Sequence, residues 1–192
     1  HSAFAYLGSA RFMESAKAAG RTIVHKPYEL TRGIAGVGSV PTRERPQNHR
    51  AYYFRREIDR WSEHRAAPVM DGYPEHHWAD MTLSNGMLIA ATLQGANVDA
   101  LAHAMLQGHW RDDADLSNET TLQALARSVD VDPAPLLAAA LSDEVAAIYE
   151  ANTVEAIERS VFGSPTYFIE GDMFYGQDHL EMVERALCQP YK

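Results

Sequence analysis

The sequence predicts an α/β fold in which a long run of helices separates two shorter segments that contain strands. Near the C-terminal end, the turn signal Glu170-Gly171-Asp172 lies between two short apolar runs and predicts a β-hairpin. Near the start, a helical pattern is followed by a short strand pattern, Arg21–Tyr28. Between these segments, apolar residues recur at the spacing of an α-helix.

The size and composition are those of one large globular domain, or of one domain with a substantial insertion. The chain has 192 residues, 46% of them hydrophobic, and no apolar run reaches the roughly 18 residues that span a bilayer. The net charge of −9 argues against nucleic acid as a partner, because phosphate contacts need clustered Lys and Arg. The single cysteine, Cys188, excludes a conventional dithiol oxidoreductase. A lone thiol fits a reducing compartment, so we expect a cytoplasmic protein.

The first helix is predicted to follow Ser2. Leu7 and Phe12 fall near one helical face, and Gly20 stands where a helix commonly ends. A serine just before a helix ordinarily caps that helix, and capping alone would explain Ser2. The same hydroxyl lies beside the free N–H groups of a helix end, where an anion such as a thiolate can bind.

The middle of the chain is predicted to be helical after an initial loop. Residues Leu30–Arg45 are rich in glycine and show little periodicity, which is typical of a loop. An amphipathic helix is predicted from Gln47 to Arg65. Further helices are predicted at Leu83–Gln94, Val98–Gln107, Asn118–Val129, Asp132–Leu141 and from Ser142 to about Ala156.

The C-terminal segment is predicted to form two strands and a last helix. Proline cannot donate to a strand ladder, so Pro165 is expected at the start of the strand Thr166–Ile169. Gly176 closes the second strand. Asp178 then has the spacing of a capping box with Glu181, which predicts a helix over Asp178–Leu187.

Two motifs resemble a known enzyme family. The C-terminal pattern V-F-G-x-P-T-x-F…G-x-x-F-x-G-Q-D resembles the signature of the 2-hydroxychromene-2-carboxylate isomerases, which are related to kappa-class glutathione transferases and, more distantly, to DsbA oxidoreductases. The segment Ser2–Gly8 resembles the family's S-P-Y-S-Y-L motif, although Ala3 and Ala5 depart from it. This resemblance implies a thioredoxin-like fold, formed by residues 1–30 and 160–192, with a helical insertion over residues 31–159. It also implies a first strand in residues upstream of His1.

The resemblance implies a glutathione site built from both ends of the chain. Ser2 would contact the glutathione sulfur, and the backbone of Ser164, before a cis Pro165, would pair with the peptide. Gly176, Gln177 and Asp178 would bind the glutamyl group at the start of the last helix, although capping alone also explains Asp178.

The loop and helix near residue 50 are where this chain departs from the family. In the family, an Asn in the loop and a Lys near the helix start contact glutathione or the substrate carboxylate. The corresponding positions here are Ser39 for glutathione and Asn48, with His49 and Arg50 adjacent, for the substrate. Seven arginines between residues 43 and 65 outnumber four acidic residues; most are expected to form a solvated helix face, yet they would attract an anionic ligand.

The histidines do not have the spacing of metal ligands. His76 and His77 are adjacent, and His103 and His109 are six apart, but no HExxH or Cys/His cluster occurs, so no metal site is expected. The sequence also contains neither a Gly-rich phosphate loop nor a Gly-x-Ser-x-Gly elbow.

The resemblance favours a glutathione-dependent isomerase that converts 2-hydroxychromene-2-carboxylate to trans-o-hydroxybenzylidenepyruvate during bacterial degradation of aromatic compounds. Its expected partners are a small aromatic carboxylate and a second copy of the chain in a homodimer. A kappa-type glutathione transferase or peroxidase is one alternative. A non-catalytic thioredoxin-fold protein that binds a peptide or an aromatic acid is another, favoured by the loss of the Asn and the Lys.

Overall fold

The structure, a computed structural model, describes residues 1–40 and 44–192. Most of these residues are helical. The α-helices are α1 (Ala3–Ala18), α2 (Leu30–Gly36), α3 (Arg55–Arg65), α4 (Thr82–Leu93), α5 (Val98–Asp112), α6 (Glu119–Arg127), α7 (Pro133–Ala139), α8 (Asp143–Glu158) and α9 (Leu180–Cys188). The strands are β1 (Thr166–Ile169) and β2 (Asp172–Tyr175). Among the described residues, no helix is both long enough and apolar enough to cross a membrane.

The predicted C-terminal hairpin is confirmed. Strands β1 and β2 are antiparallel and pair Ile169 with Asp172, which leaves a two-residue loop. Both loop residues, Glu170 and Gly171, have positive φ angles of 52° and 96°, as a type I′ turn requires. Pro165 precedes β1 directly, and its bond to Ser164 is cis, as the resemblance implied.

Three hydrophobic clusters hold the described residues together. The largest lies among α4 to α8, and a second packs the hairpin against α9 with Phe12 of α1 at its edge. The third cluster joins Ala3, Tyr6 and Leu7 of α1 to Ile58 of α3 and Trp110 of α5. Helix α1 is thereby packed against helices from the predicted insertion. The predicted boundaries at residues 30 and 160 stay a prediction.

The predicted strand Arg21–Tyr28 is wrong, because this segment forms neither helix nor strand. A strand needs a backbone partner, and no other described residue pairs with it through a ladder. Side chains hold the segment instead. Asn152 donates to the carbonyl of Pro27 (3.0 Å), and Lys26 forms an ion pair with Glu155.

The predicted loop Leu30–Arg45 is wrong at its start, where α2 spans Leu30–Gly36. The Glu29 carboxylate caps this helix by accepting from the Thr31 and Arg32 amides (3.2 and 2.5 Å). Two of the glycines that favoured a loop serve packing, because a Cβ would lie 2.6 Å from the Tyr28 ring on Gly33 and 2.7 Å from Ile157 on Gly36.

The helix that precedes Arg65 is interrupted near its start. The predicted single helix Gln47–Arg65 consists of a π-helical segment, His49–Phe54, followed by α3. Such segments are rare and occur often at functional sites. Phe54, at the end of the π-helical segment, packs its ring against Phe4 of α1 (5.2 Å between centroids, edge to face).

The predicted N-cap at Asp178 is wrong. A 3₁₀ turn, Gln177–His179, precedes α9, and neither element has a side-chain cap. Gly176 enters this turn with a φ of +92°, and the Asp178 carboxylate folds back so closely that a Cβ on Gly176 would lie 2.2 Å from it. The positive φ and the close carboxylate together require glycine at position 176.

Arg65 ties α3 to the 3₁₀ turn. Its Nε donates to the Gln177 side-chain oxygen (3.1 Å) and its Nη2 to the Gln177 carbonyl (3.0 Å). Gln177 is only 1% exposed, so its side-chain oxygen depends on the arginine for a hydrogen bond, whereas its carbonyl also accepts from the Leu180 amide.

Arg65→Gln is therefore expected to destabilise the protein by about 1–3 kcal/mol, because it leaves the buried side-chain oxygen of Gln177 unpaired. Urea unfolding measures this effect. The control is Arg56→Gln, at an exposed position of the same helix, which is expected to change stability by less than about 0.5 kcal/mol. Equal losses in the two variants would contradict the assigned importance of the Gln177 contacts.

Candidate functional site

The structure brings together Ser2 and Ser164, which are 162 residues apart in the sequence. The Ser2 hydroxyl donates to the Ser164 carbonyl at 2.7 Å and accepts from the Ala5 amide at 3.4 Å. The predicted N-cap at Ser2 is therefore confirmed. The hydroxyl also lies beside the cis-proline turn, where the resemblance placed it.

A cavity of about 530 Å³ opens at this point. The N-terminal end of α1 reaches its wall, and the N–H groups of a helix's first turn have no acceptor within the helix. The other walls come from the 163–164 turn, the segment before α2, the end of the π-helical segment, and helices α4 and α5. A polar helix end therefore faces a space otherwise lined largely by aromatic and aliphatic side chains.

Aromatic side chains fix the turn before Pro165. The Tyr28 hydroxyl donates to the Gly163 carbonyl (3.2 Å), and the Tyr175 ring covers Gly163 so closely that a Cβ there would lie 2.4 Å from it. Phe162 contacts Tyr175 (4.5 Å between centroids), and the two are 41% and 39% exposed. These lining residues were not predicted, although Phe162 and Tyr175 stand in the C-terminal motif.

Arg45, which the sequence did not single out, lines this cavity together with Lys26, whereas the predicted Arg50 does not line it. Arg45 lines the cavity, donates from Nε to the Val40 carbonyl (3.4 Å) and forms no ion pair within residues 1–40 and 44–192. Arg50 lies outside the cavity and donates from Nε to the Arg45 carbonyl (3.1 Å), so it supports the backbone of Arg45. The excess of arginines in this segment was the sequence signal, but spacing did not identify the residue.

The other predicted substrate residues do not line the cavity. The Asn48 side chain accepts from the His49 amide (2.9 Å), and the His49 ring lies 5.5 Å from the ring of Tyr53. Their assignment to the substrate stays a prediction without support from the cavity lining.

The residues predicted to bind glutathione differ in exposure and in their positions relative to the cavity. Ser39 lines a neighbouring cavity of about 380 Å³, which shares Phe162 with the larger one. The Gly176 amide donates to the Pro165 carbonyl (3.0 Å), which joins the last turn to the proline. Gln177 is buried and bonded to Arg65, whereas Asp178 is exposed. Whether these residues bind glutathione stays a prediction.

Two histidines outside the predicted site form a buried pair. His77 lines the cavity and is 8% exposed, and His109 behind it is fully buried. The Nδ1 of His77 lies 3.0 Å from Nε2 of His109, whose Nδ1 lies 3.0 Å from the Ala114 carbonyl. Burial, together with the neighbouring His109, lowers the pKa of His77 to about 3, and burial also lowers that of His109. No group of His, Cys, Asp or Glu among the described residues is arranged to hold a metal ion.

Three histidines with lowered pKa values predict that acid destabilises the fold. Burial lowers the pKa of His77, His103 and His109 in the folded state, whereas the unfolded side chains protonate near pH 6.5. Below that pH the unfolded state binds more protons, so the free energy of unfolding falls as the pH decreases. Each histidine contributes at most about 1.4 kcal/mol per pH unit.

Urea unfolding between pH 7.5 and 5 measures this dependence. The slope is expected to become smaller in His77→Asn and to stay unchanged in His76→Asn, which replaces the exposed neighbour. Equal slopes in wild type and His77→Asn would contradict the assignment.

The comparisons with known proteins agree with this geometry. A sequence model of the DSBA-like thioredoxin domain matches residues 1–188. The chain is 26% identical to a 2-hydroxychromene-2-carboxylate isomerase of Pseudomonas putida, over 97% of this chain and 89% of that protein. It is 22% identical to a protein of the same name from Sphingobium xenophagum, over 97% and 93% of the two chains.

A solved structure of a 2-hydroxychromene-2-carboxylate isomerase superposes on the chain with a TM-score of 0.79 at 25% identity, covering 97% of this chain and 89% of the other. The predicted thioredoxin-like α/β fold with helices between its two halves is therefore confirmed. The chain belongs to the DSBA-like thioredoxin domain family.

Proposed function

We propose that this protein isomerises 2-hydroxychromene-2-carboxylate to trans-o-hydroxybenzylidenepyruvate, with glutathione as its thiol cofactor. The isomerase activity is supported by the named relatives, which match nearly the whole chain. The observation that carries the glutathione proposal is the contact between Ser2 and the Ser164 carbonyl, at a cavity that also receives the N-terminal end of α1.

The residues around Ser2 fit a thiolate and a short peptide. The positive end of a helix dipole lowers the pKa of a nearby thiol, and a serine hydroxyl can donate to the resulting anion. The Ser2 hydroxyl donates to Ser164 in this structure, and rotation of its side chain would redirect the proton to a sulfur atom. The Ser164 backbone precedes β1 and can pair with an extended peptide.

The bond between C2 and the ring oxygen of the chromene acid must first break as the 2-hydroxyl proton passes to the ring oxygen, which gives an open-chain enone. When glutathione is bound, its thiolate would supply reversible addition to this enone. Rotation about the former double bond and loss of the thiolate would then give the trans product. The protein's own residues have three tasks in this reaction. Ser2 and the helix end stabilise the anion, and Arg45 holds the substrate carboxylate through charge-assisted hydrogen bonds. Aromatic side chains such as Phe4 and Phe162 cover the ring of the substrate and reduce its contact with water.

Ser2→Ala is expected to lower kcat roughly 100-fold with glutathione and the chromene acid, because it removes a donor to the anion. The same change removes a helix N-cap, so the matched control is Ser142→Ala. Ser142 caps α8 through the Val145 amide (3.3 Å) and does not line the cavity. Both variants are expected to lose about 1 kcal/mol of stability, and only Ser2→Ala to lose turnover.

Undiminished turnover in Ser2→Ala would defeat the task assigned to Ser2. Calorimetry tests the cofactor separately: wild-type protein that binds no glutathione at millimolar concentrations would overturn the glutathione dependence.

Arg45→Gln is expected to raise KM for the chromene acid about tenfold or more, because a hydrogen bond to a charged group contributes about 1.5–3 kcal/mol. Steady-state kinetics at saturating glutathione measure the change. Arg56→Gln removes an exposed arginine that lies outside the cavity and is expected to leave KM unchanged. Equal KM values for Arg45→Gln and wild type would remove Arg45 from the substrate site.

Two further proposals are a homodimer, which the family resemblance supports, and a cytoplasmic location, which the single cysteine supports. Sedimentation at micromolar concentration tests the first, and a monomer there would contradict it. Turnover of an electrophilic conjugation substrate in preference to the chromene acid would favour the kappa-type transferase instead.

A further inference from the structure

The wall of the cavity contains a hydrogen-bond relay to which the proposed function assigns no task. It begins at the Ala114 carbonyl, passes through the ring of His109 and ends at His77. His77 lines the same cavity as Ser2 and Arg45.

The relay determines which nitrogens of the two neutral rings carry protons. A carbonyl can only accept, so Nδ1 of His109 carries the proton toward Ala114 (3.0 Å). The Nε2 of a neutral His109 is then an acceptor, and Nδ1 of His77, at 3.0 Å, must donate to it. The remaining nitrogen of His77, Nε2, therefore carries a lone pair.

This lone pair is available to a ligand. Within residues 1–40 and 44–192, Nε2 of His77 has no hydrogen-bond partner, and it is not sealed from solvent, unlike the unpaired hydroxyl of Tyr73. Its surroundings are aromatic, since Trp78 and Trp110 lie 4.7 and 5.0 Å from the His77 ring between centroids. Burial lowers the pKa of His77, so the ring stays neutral near pH 7. An acceptor in such a setting favours a ligand that brings a donor to it.

The proposed substrate brings one donor of the right kind. The carbon that carries the carboxylate of 2-hydroxychromene-2-carboxylate also carries a hydroxyl group. We propose that His77 Nε2 accepts a hydrogen bond from this hydroxyl, and that His77 is therefore a specificity-determining residue for 2-hydroxylated acids. Arg45 binds the carboxylate on the same carbon, so the two side chains recognise both of its polar substituents. This inference rests on the proposed function, and His109 acts only by positioning His77.

The test compares binding of 2-hydroxychromene-2-carboxylate with that of chromene-2-carboxylate, which lacks the hydroxyl, by calorimetry without glutathione. Wild-type protein is expected to bind the hydroxylated acid about tenfold more tightly, as one neutral hydrogen bond implies. His77→Asn keeps an N–H donor toward His109 but has no counterpart of Nε2, so it is expected to bind both acids equally. The control is His76→Asn, which is expected to keep the tenfold preference because His76 does not line the cavity.

A tenfold preference retained in His77→Asn, or absent from wild type, would overturn the inference. Nitrogen-15 spectra of the wild-type protein give a second test that needs neither a variant nor a substrate. They are expected to show an unprotonated Nε2 and a protonated Nδ1 for His77 at pH 7, and the opposite tautomer would overturn the proposal. Failure of the isomerase proposal would be distinguishable from failure of this inference. In that case wild-type protein would show no turnover with glutathione, although Nε2 of His77 would still be unprotonated.

Discussion

The burial of helix α1 is the constraint on which the rest of this structure depends. Its inner face, with Tyr6 and Leu7 almost fully buried, packs against Ile58 and Trp110 from two other helices, and its far end packs near α9. A Cβ on Gly8 would lie 2.6 Å from Gln177, so α1 also fits closely against the 3₁₀ turn. Because α1 is held on several sides, its N-terminal end has one position, and Ser2 reaches the turn before Pro165.

This position brings two positive features together in an acidic protein. The chain has a net charge of −9, yet the cavity combines a helix N-terminus with an arginine that has no carboxylate partner among the described residues. The lining also carries Lys26, Glu29 and Asp80, so the helix end and Arg45 supply the positive potential for an anion beside these charges. The overall negative charge opposes non-specific binding of anions elsewhere. The aromatic walls lower the local dielectric constant, which strengthens the attraction of an anion to the helix end and to Arg45.

The sequence predicted those features that depend on neighbouring residues. The hairpin, the N-cap at Ser2 and most helices follow from turn chemistry and periodicity, and the structure confirms them. The strand Arg21–Tyr28 failed because a strand depends on a partner that local pattern does not reveal. The helix α2 was missed because glycines that serve packing look like glycines that serve a loop.

In the site, too, the residues that the sequence predicted are those that belong to local motifs. Ser2 and Ser164 were identified by motifs, whereas Arg45 was missed because any of seven arginines satisfied the local pattern. His77 and His109 are 32 residues apart, and neither has a motif. Their pairing depends on how α5 packs against the preceding segment, and only that packing determines which nitrogen is left to accept. The tautomer of His77 depends on the hydrogen-bond partners of both imidazole rings. Those partners are set by tertiary structure, so the sequence alone does not predict which nitrogen of His77 accepts.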